Sequence, residues 1–114
     1  MRMVRTLLAT MALAVALTSM PPAARADGDS YTLSIKDHKF SPEEFAIPAG
    51  KKITLTVKNL DPTPEEFEST DFNREKVVPG GQEITVYIGP LRPGRYEFFG
   101  DFNPDTARGH IVAK

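Results

Sequence analysis

From residue 30 onward the sequence alternates apolar and polar side chains, and this period of two constrains the fold more than any other feature. Four segments show it most clearly: YTLSIKD, EEFAIPAG, KKITLTVKN and QEITVYIG. Because successive side chains of a strand point to opposite faces, each segment predicts a half-buried strand. Turn-forming residues such as Asp61-Pro62 and Pro93-Gly94 separate the segments, and no segment has a helical period. The sequence therefore predicts an all-β sandwich.

The first 26 residues have a different character. Two arginines precede a short apolar run, and the small-x-small sequence Ala24-Arg25-Ala26 precedes Asp27. This pattern is typical of a secretory signal peptide, and the apolar run is too short for a comfortable membrane span. We therefore expect residues 1–26 to be removed on export to the periplasm, and residues 27–114 to form one domain without direct membrane insertion. An uncleaved N-terminal anchor is the alternative.

Composition excludes several classes of function. Without the leader, 11 Lys and Arg stand against 15 Asp and Glu, so the expected mature chain has a formal net charge of −4. Such a chain has no electrostatic reason to bind nucleic acid or an anionic membrane. It also has no cysteine, which excludes a cysteine nucleophile and disulfides, and no tryptophan to stack on a sugar ring. No glycine-rich phosphate loop is present.

The segment TPEEFESTD concentrates negative charge around one phenylalanine. On a strand, Glu66 and Glu68 share one face, whereas Glu65 and Phe67 share the other. Carboxylates this close repel each other unless a cation lies between them. The segment therefore predicts a hard-cation site built of oxygen ligands, with a solvated acidic edge as the alternative.

Three segments resemble a known family: FSPEEFAIPAGKKITLTVKNLDPTPEEFES, VVPGGQEITVYIGPLRPGRYEFFGDF and GHIVAK. Together they are similar to a cupredoxin-like domain, in particular that of EfeO-type iron-uptake proteins and the small free-standing periplasmic cupredoxins of bacterial ferrous iron uptake systems. The resemblance implies a Greek-key β-sandwich of about seven to eight short strands. It also implies an iron or copper ion as ligand and components of an iron permease as partners.

The departures from this family are informative. Blue-copper cupredoxins carry a histidine where this chain has Glu65, and a cysteine where it has Gly100. Without a thiolate, the chain cannot form a type 1 blue copper centre. The EfeO-type domain has an acidic pair flanking an aromatic, matched here by Glu66 and Glu68, but it also has two cysteines, one of which corresponds to Phe40.

The predicted metal ligands are Glu66, Glu68, Asp101, Glu65 and His38. Asp101 follows Gly100 in the final loop, where it either completes an oxygen set or fixes a turn. Glu65 takes the position of a cupredoxin histidine, with a plain loop carboxylate as the alternative. His38 neighbours a cysteine position of the related domain and is otherwise an exposed loop histidine.

Three functions remain open from the sequence. The first, which we favour, is a periplasmic metal-binding accessory of ferrous iron uptake that passes an ion or an electron towards a permease. The second is a ferroxidase in the same setting, which needs an electron acceptor such as copper. The third is a metal-free interaction module of an exported complex that kept the fold and lost the site.

Overall fold

The alternating segments of the sequence form strands in the structure. The computed structural model of the protein describes residues 29–114 and contains nine strands in that range. They are β1 (Ser30–Lys36), β2 (Lys39–Ser41), β3 (Glu44–Ile47), β4 (Ile53–Asn59), β5 (Glu65–Ser69), β6 (Arg74–Val78), β7 (Glu83–Ile88), β8 (Gly94–Phe99) and β9 (Arg108–Ala113). Among these residues no helix is long and apolar enough to cross a membrane. The predicted signal peptide lies outside the described residues.

The strands form two sheets that pack against each other. The four-stranded sheet has the order β2-β1-β4-β7, and the five-stranded sheet has the order β3-β9-β8-β5-β6. β1 is parallel to β4 and β3 is parallel to β9, whereas the other pairs are antiparallel. Consecutive strands such as β4 and β5 lie in different sheets. The predicted all-β sandwich is confirmed.

The described residues contain more strands than the seven to eight expected, and Pro42 explains part of the difference. Proline has no backbone N–H and cannot continue a ladder, so the segment around it is divided. Before Pro42 the chain belongs to the four-stranded sheet, where Phe40 pairs with Ile35. After it the chain belongs to the five-stranded sheet, where Phe45 pairs with Ile111.

Aromatic rings fill the core beneath β5. Phe40, Phe67 and Phe98 are buried, and their ring centroids lie 5.0–6.2 Å apart. Phe40 meets the other two edge to face, which is a favourable arrangement for aromatic rings. The inner face of β5 therefore lies in dry, apolar surroundings, where an unpaired charge is costly.

Two loops meet at Gly80, and this contact fixes the entrance to β5. A Cβ atom at position 80 would overlap the carbonyl oxygen of Pro62 and lie 3.1 Å from the backbone nitrogen of Thr63. The N–H of Gly81 donates to the carbonyl oxygen of Asp61 at 3.0 Å. The loop that leads into β5 is thereby held against the loop that follows β6.

We expect Gly80→Ala to lower the free energy of unfolding by about 3 kcal/mol, because backbone atoms must move to admit the methyl group. Gly81→Ala is the control, since a Cβ there meets no atom within 4 Å. That variant carries only the cost of its positive φ of 71°, about 1 kcal/mol. Urea unfolding followed by circular dichroism measures both. A Gly80→Ala cost no larger than that of Gly81→Ala would contradict the close packing of the loops.

Candidate metal centre

Strand alternation divides the carboxylates of β5 between two faces. Glu65 shares the inner face with the buried Phe67, at the end of the sandwich, whereas Glu66 and Glu68 point to the outer face of the five-stranded sheet. The five ligands predicted from the sequence therefore form two separate groups rather than one. Both groups consist of side chains whose candidate ligand atoms lie within 4.8 Å of one another.

The acidic group consists of Glu66, Glu68 and Asp101. Glu66 is only 5% exposed, and its Oε1 accepts a hydrogen bond from the backbone N–H of Asp101 at 3.0 Å. Glu68 Oε1 is buried and has no hydrogen-bond partner among the described residues. Glu75 lies directly opposite Glu68 in the β5–β6 register, so a fourth carboxylate adds to the negative charge. A buried carboxylate oxygen without a partner is costly, and either the proton of the neighbouring Glu66 carboxyl or a bound cation would satisfy it.

Crowding changes the protonation of the acidic group. Burial, together with the neighbouring Glu68 carboxylate, raises the pKa of Glu66 to about 7, although the Asp101 N–H acts in the opposite direction. Two carboxylates this close cannot both ionise easily, so Glu66 keeps its proton to near neutral pH in the absence of a cation. A cation at this position would replace that proton. Oxygen donors of this kind suit hard ions.

The histidine group consists of His38, Asp61 and Glu65. His38 Nδ1 lies 2.6 Å from Glu65 Oε2 and 3.7 Å from Asp61 Oδ2. The other Glu65 oxygen accepts a hydrogen bond from Asn103 Nδ2 at 3.2 Å. Glu65 is fully buried, whereas the side chain of His38 is 46% exposed. The group therefore offers one nitrogen and several oxygen donors at the boundary between core and solvent.

Hydrogen bonds set the pKa values of this group. The hydrogen bond with Glu65 raises the pKa of His38 above its usual range. Burial raises the pKa of Glu65, and the hydrogen bond with His38 offsets only part of that effect. Burial also acts to raise the pKa of Asp61, but the neighbouring Glu65 and the hydrogen bonds from two backbone N–H groups outweigh it and hold that pKa low. The short contact is thus a charge-assisted pair that is satisfied without a metal.

A two-residue turn places His38 beside Glu65. Asp37 and His38 connect β1 to β2, and both have left-handed backbones, with φ of 54° and 58°. Such a turn suits a tight hairpin but is unfavourable for most side chains. The Asp61 carboxylate stabilises it by accepting the N–H of Asp37 at 2.7 Å and that of His38 at 3.1 Å.

Asp61 is a candidate ligand that the sequence pattern does not predict, since Asp61-Pro62 indicates only a turn. Asp61 is 6% exposed, which is unusual for an aspartate in a loop. The one sequence signal for its role is the segment Asn59-Leu60-Asp61-Pro62, because asparagine and aspartate near a proline favour local hydrogen bonds between side chain and backbone. The five predicted ligands all lie in one of the two groups.

The residues present do not fit a thiolate-bound copper. Residues 29–114 contain neither cysteine nor methionine, so no sulfur ligand is available there. A Cβ at Gly100 would lie 2.8 Å from the carbonyl oxygen of Glu66 and 3.0 Å from the Cβ of Ala107. A cysteine at this position would therefore require the backbone to move. An ion held by oxygen donors alone fits the acidic group, and an ion held by nitrogen and oxygen donors fits the histidine group.

The sequence matches a known family. A family model for the cupredoxin-like domain matches residues 9–113. The chain belongs to the cupredoxin-like domain family. It is also 50% identical, over 80 residues, to an uncharacterized protein of Rickettsia prowazekii (strain Madrid E). That match covers 70% of this chain but only 64% of the relative's own length.

Solved structures share this cupredoxin-like fold. Auracyanin A, a "blue" copper protein from Chloroflexus aurantiacus, superimposes with a TM-score of 0.65 over 75% of this chain and 98% of its own, at 12% identity. Amicyanin from Paracoccus versutus gives a TM-score of 0.61 over 81% and 88%, at 21% identity. A chain of a heme-copper terminal oxidase dimer gives 0.65 over 86% and 76%, at 18% identity. At these identities the similarity establishes the fold alone.

The raised pKa of Glu66 predicts that the metal-free protein loses stability as pH rises. The folded state binds its proton more tightly than the unfolded state, so the stabilising contribution is complete below about pH 4.5 and is lost as pH approaches 7. Glu66→Gln removes this loss. We expect it to be more stable than the wild type at pH 8 by on the order of 1–3 kcal/mol, and no more stable at pH 4.

Chemical unfolding in the presence of a chelator, from pH 4 to pH 8, measures this difference. Glu43→Gln is the control, since Glu43 is an exposed carboxylate outside both groups. It should follow the wild type at every pH. A constant difference in stability between Glu66→Gln and the wild type across this range would contradict the buried protonated carboxyl.

Proposed function

We propose that this protein is a periplasmic metal-binding accessory of a ferrous iron uptake system, and that it holds an iron or copper ion and passes the ion, or an electron, to a permease. One observation carries the proposal: Glu66, Glu68 and Asp101 converge, and one buried carboxylate oxygen has no partner in the described residues. Membership of the cupredoxin-like family supports a metal-binding role. The resemblance to EfeO-type domains and the signal-peptide pattern support the setting.

The two groups suit different ions. The acidic group presents only carboxylates, the ligands that hard ions such as iron prefer, and its proton would leave as the ion binds. Because Asp101 is exposed, the ion would remain accessible from solvent and able to leave. The histidine group adds an imidazole nitrogen, which suits copper(II). Copper bound there would lack the intense blue colour of thiolate-bound copper.

A ferroxidase would use the same acidic group and would also oxidise the iron that it holds. Oxidation of iron(II) to iron(III) releases one electron, which an acceptor such as copper must take up. The acidic group would hold the iron, and the histidine group would hold the acceptor on the other face of β5. The accessory role requires only the first of these two ions, and for that reason we favour it.

The His38–Glu65 pair favours a second candidate, a metal-free interaction module. The contact of 2.6 Å between His38 Nδ1 and Glu65 Oε2 satisfies both side chains without an ion. In that role the fold would serve as a docking domain of an exported complex. The acidic group separates the two candidates, because it is the one in which a buried oxygen lacks a partner.

Replacing Glu66 and Glu68 together with Gln tests the proposal. The change removes two negative charges, so the metal-free variant should be at least as stable as the wild type at pH 8. Its affinity for iron(II) should fall by a factor of at least about 10, because carboxylate count largely sets affinity in such sites. At a metal concentration of a hundred times the wild-type Kd, the wild type should therefore gain about 2.7 kcal/mol, whereas a variant weakened tenfold should gain only about 1.4 kcal/mol.

Anaerobic calorimetric titration with iron(II) measures the affinities, and thermal melts with and without iron(II) measure the stabilities. Asp101→Asn should change both in the same direction as the double variant, but by less. The matched control removes the same charge from a different place, by replacing Glu43 and Glu83, two exposed carboxylates outside both groups, with Gln. If the wild type and the Glu66/Glu68 variant bind iron(II) equally, the acidic group is not a metal site, and the metal-free interaction module becomes the favoured function.

A further inference from the structure

Asn59 occupies an unusual position for an amide side chain. It ends β4 and is only 1% exposed. Its Nδ2 donates to three carbonyl oxygens, those of Thr63 at 2.8 Å, Val78 at 3.0 Å and Pro79 at 3.3 Å. The side chain thus joins the loop that leads into β5 to the end of β6.

The oxygen of the same amide connects Asn59 to the histidine group. Asn59 Oδ1 accepts the backbone N–H of Asp61 at 2.9 Å. The carboxylate of Asp61 in turn accepts the N–H of Asp37 and that of His38. A continuous path of hydrogen bonds therefore runs from a buried amide to the turn that carries the imidazole.

Only an amide supplies both the N–H donors and the oxygen acceptor that these contacts require. Asp at position 59 would direct oxygen atoms at three carbonyl oxygens, and Leu would remove the donor from all three as well as the acceptor for the N–H of Asp61. Ser has one hydroxyl in place of the donor pair and is too short to reach both loops. The requirement is specific to asparagine rather than to any buried polar residue.

We propose that Asn59 is a positioning residue that holds the Asp61 carboxylate, and through it the His38 imidazole, against Glu65. This inference deepens the proposed function, and its consequence for metal binding rests on that function. The acidic group is held differently. Its buried carboxylate, Glu66, is oriented by the N–H of Asp101, which belongs to the loop after β8. Loss of Asn59 should therefore affect the histidine group far more than the acidic group.

The first test needs no metal. The His38 Nδ1–H proton, in a 2.6 Å contact with Glu65, should give a strongly downfield resonance in proton and nitrogen NMR spectra of the metal-free protein. Asn59→Ser should remove this resonance or move it upfield. The control Ile53→Val trims the buried core of the same strand, lowers stability without touching the path, and should keep the resonance. Circular dichroism establishes that each variant is folded.

If Asn59→Ser does not fold, Asp61→Asn interrupts the same path at its other end. Asparagine at position 61 keeps one acceptor oxygen for the turn but loses the second, so the fold is retained and the His38 resonance should still shift. A His38 resonance at the wild-type position in the folded Asn59→Ser protein, or in Asp61→Asn, would overturn the proposal.

Copper(II) titration, followed by paramagnetic resonance, tests the consequence for metal binding. Asn59→Ser should weaken copper(II) binding about 10- to 100-fold, the usual effect of removing a residue that orients a ligand. Its iron(II) affinity should stay within about threefold of that of Ile53→Val. His38→Gln separates the proposal that the histidine group binds copper from the proposal that Asn59 positions His38. If His38→Gln binds copper(II) as well as the wild type, the histidine group does not hold copper, while the NMR result still decides the positioning role.

Discussion

The carboxylates of β5 are crowded, and this crowding determines the chemistry of the acidic group. Glu66 and Glu68 share one face of a strand, and Glu66 is almost completely buried beneath the loop that carries Asp101. The pKa of Glu66 rises to about 7 because ionising both carboxylates in this place is costly. A fold that keeps such a cost is easiest to understand if a cation offsets it, since replacement by apolar residues would otherwise stabilise the sandwich.

The same strand explains why there are two groups. Alternation directs Glu65 inward and its neighbours outward, so β5 separates an oxygen-only group from one that includes an imidazole. Residues 101 and 103 of the loop after β8 reach both sides, through the N–H of Asp101 on Glu66 and the amide of Asn103 on Glu65. Gly100 allows this loop to lie close against β5, where a side chain would meet the carbonyl oxygen of Glu66. The space that a thiolate would need is therefore taken by backbone.

The sequence was sufficient to predict the sandwich and the face on which each β5 carboxylate lies, because a period of two determines faces directly. It was not sufficient to predict which residues meet across loops. The proximity of Asp61 to His38 depends on a left-handed turn at Asp37 and His38, which contains no glycine to signal it. The division of one predicted site into two follows from the alternation of β5, but the residues that the loop after β8 adds to each side depend on the path of that loop, for which no periodic pattern exists. Strand alternation depends only on residues that are adjacent in the sequence, whereas contacts between loops depend on the whole fold.

Anomalous X-ray diffraction would show directly whether the acidic group holds a metal ion, as we propose. Crystals of residues 27–114, soaked anaerobically with iron(II), would be measured on both sides of the iron absorption edge. We expect an anomalous peak within about 2.0–2.6 Å of carboxylate oxygens of Glu66, Glu68 and Asp101. Well-ordered side chains at this position with no anomalous peak, after soaking at a concentration that saturates the protein in solution, would contradict it.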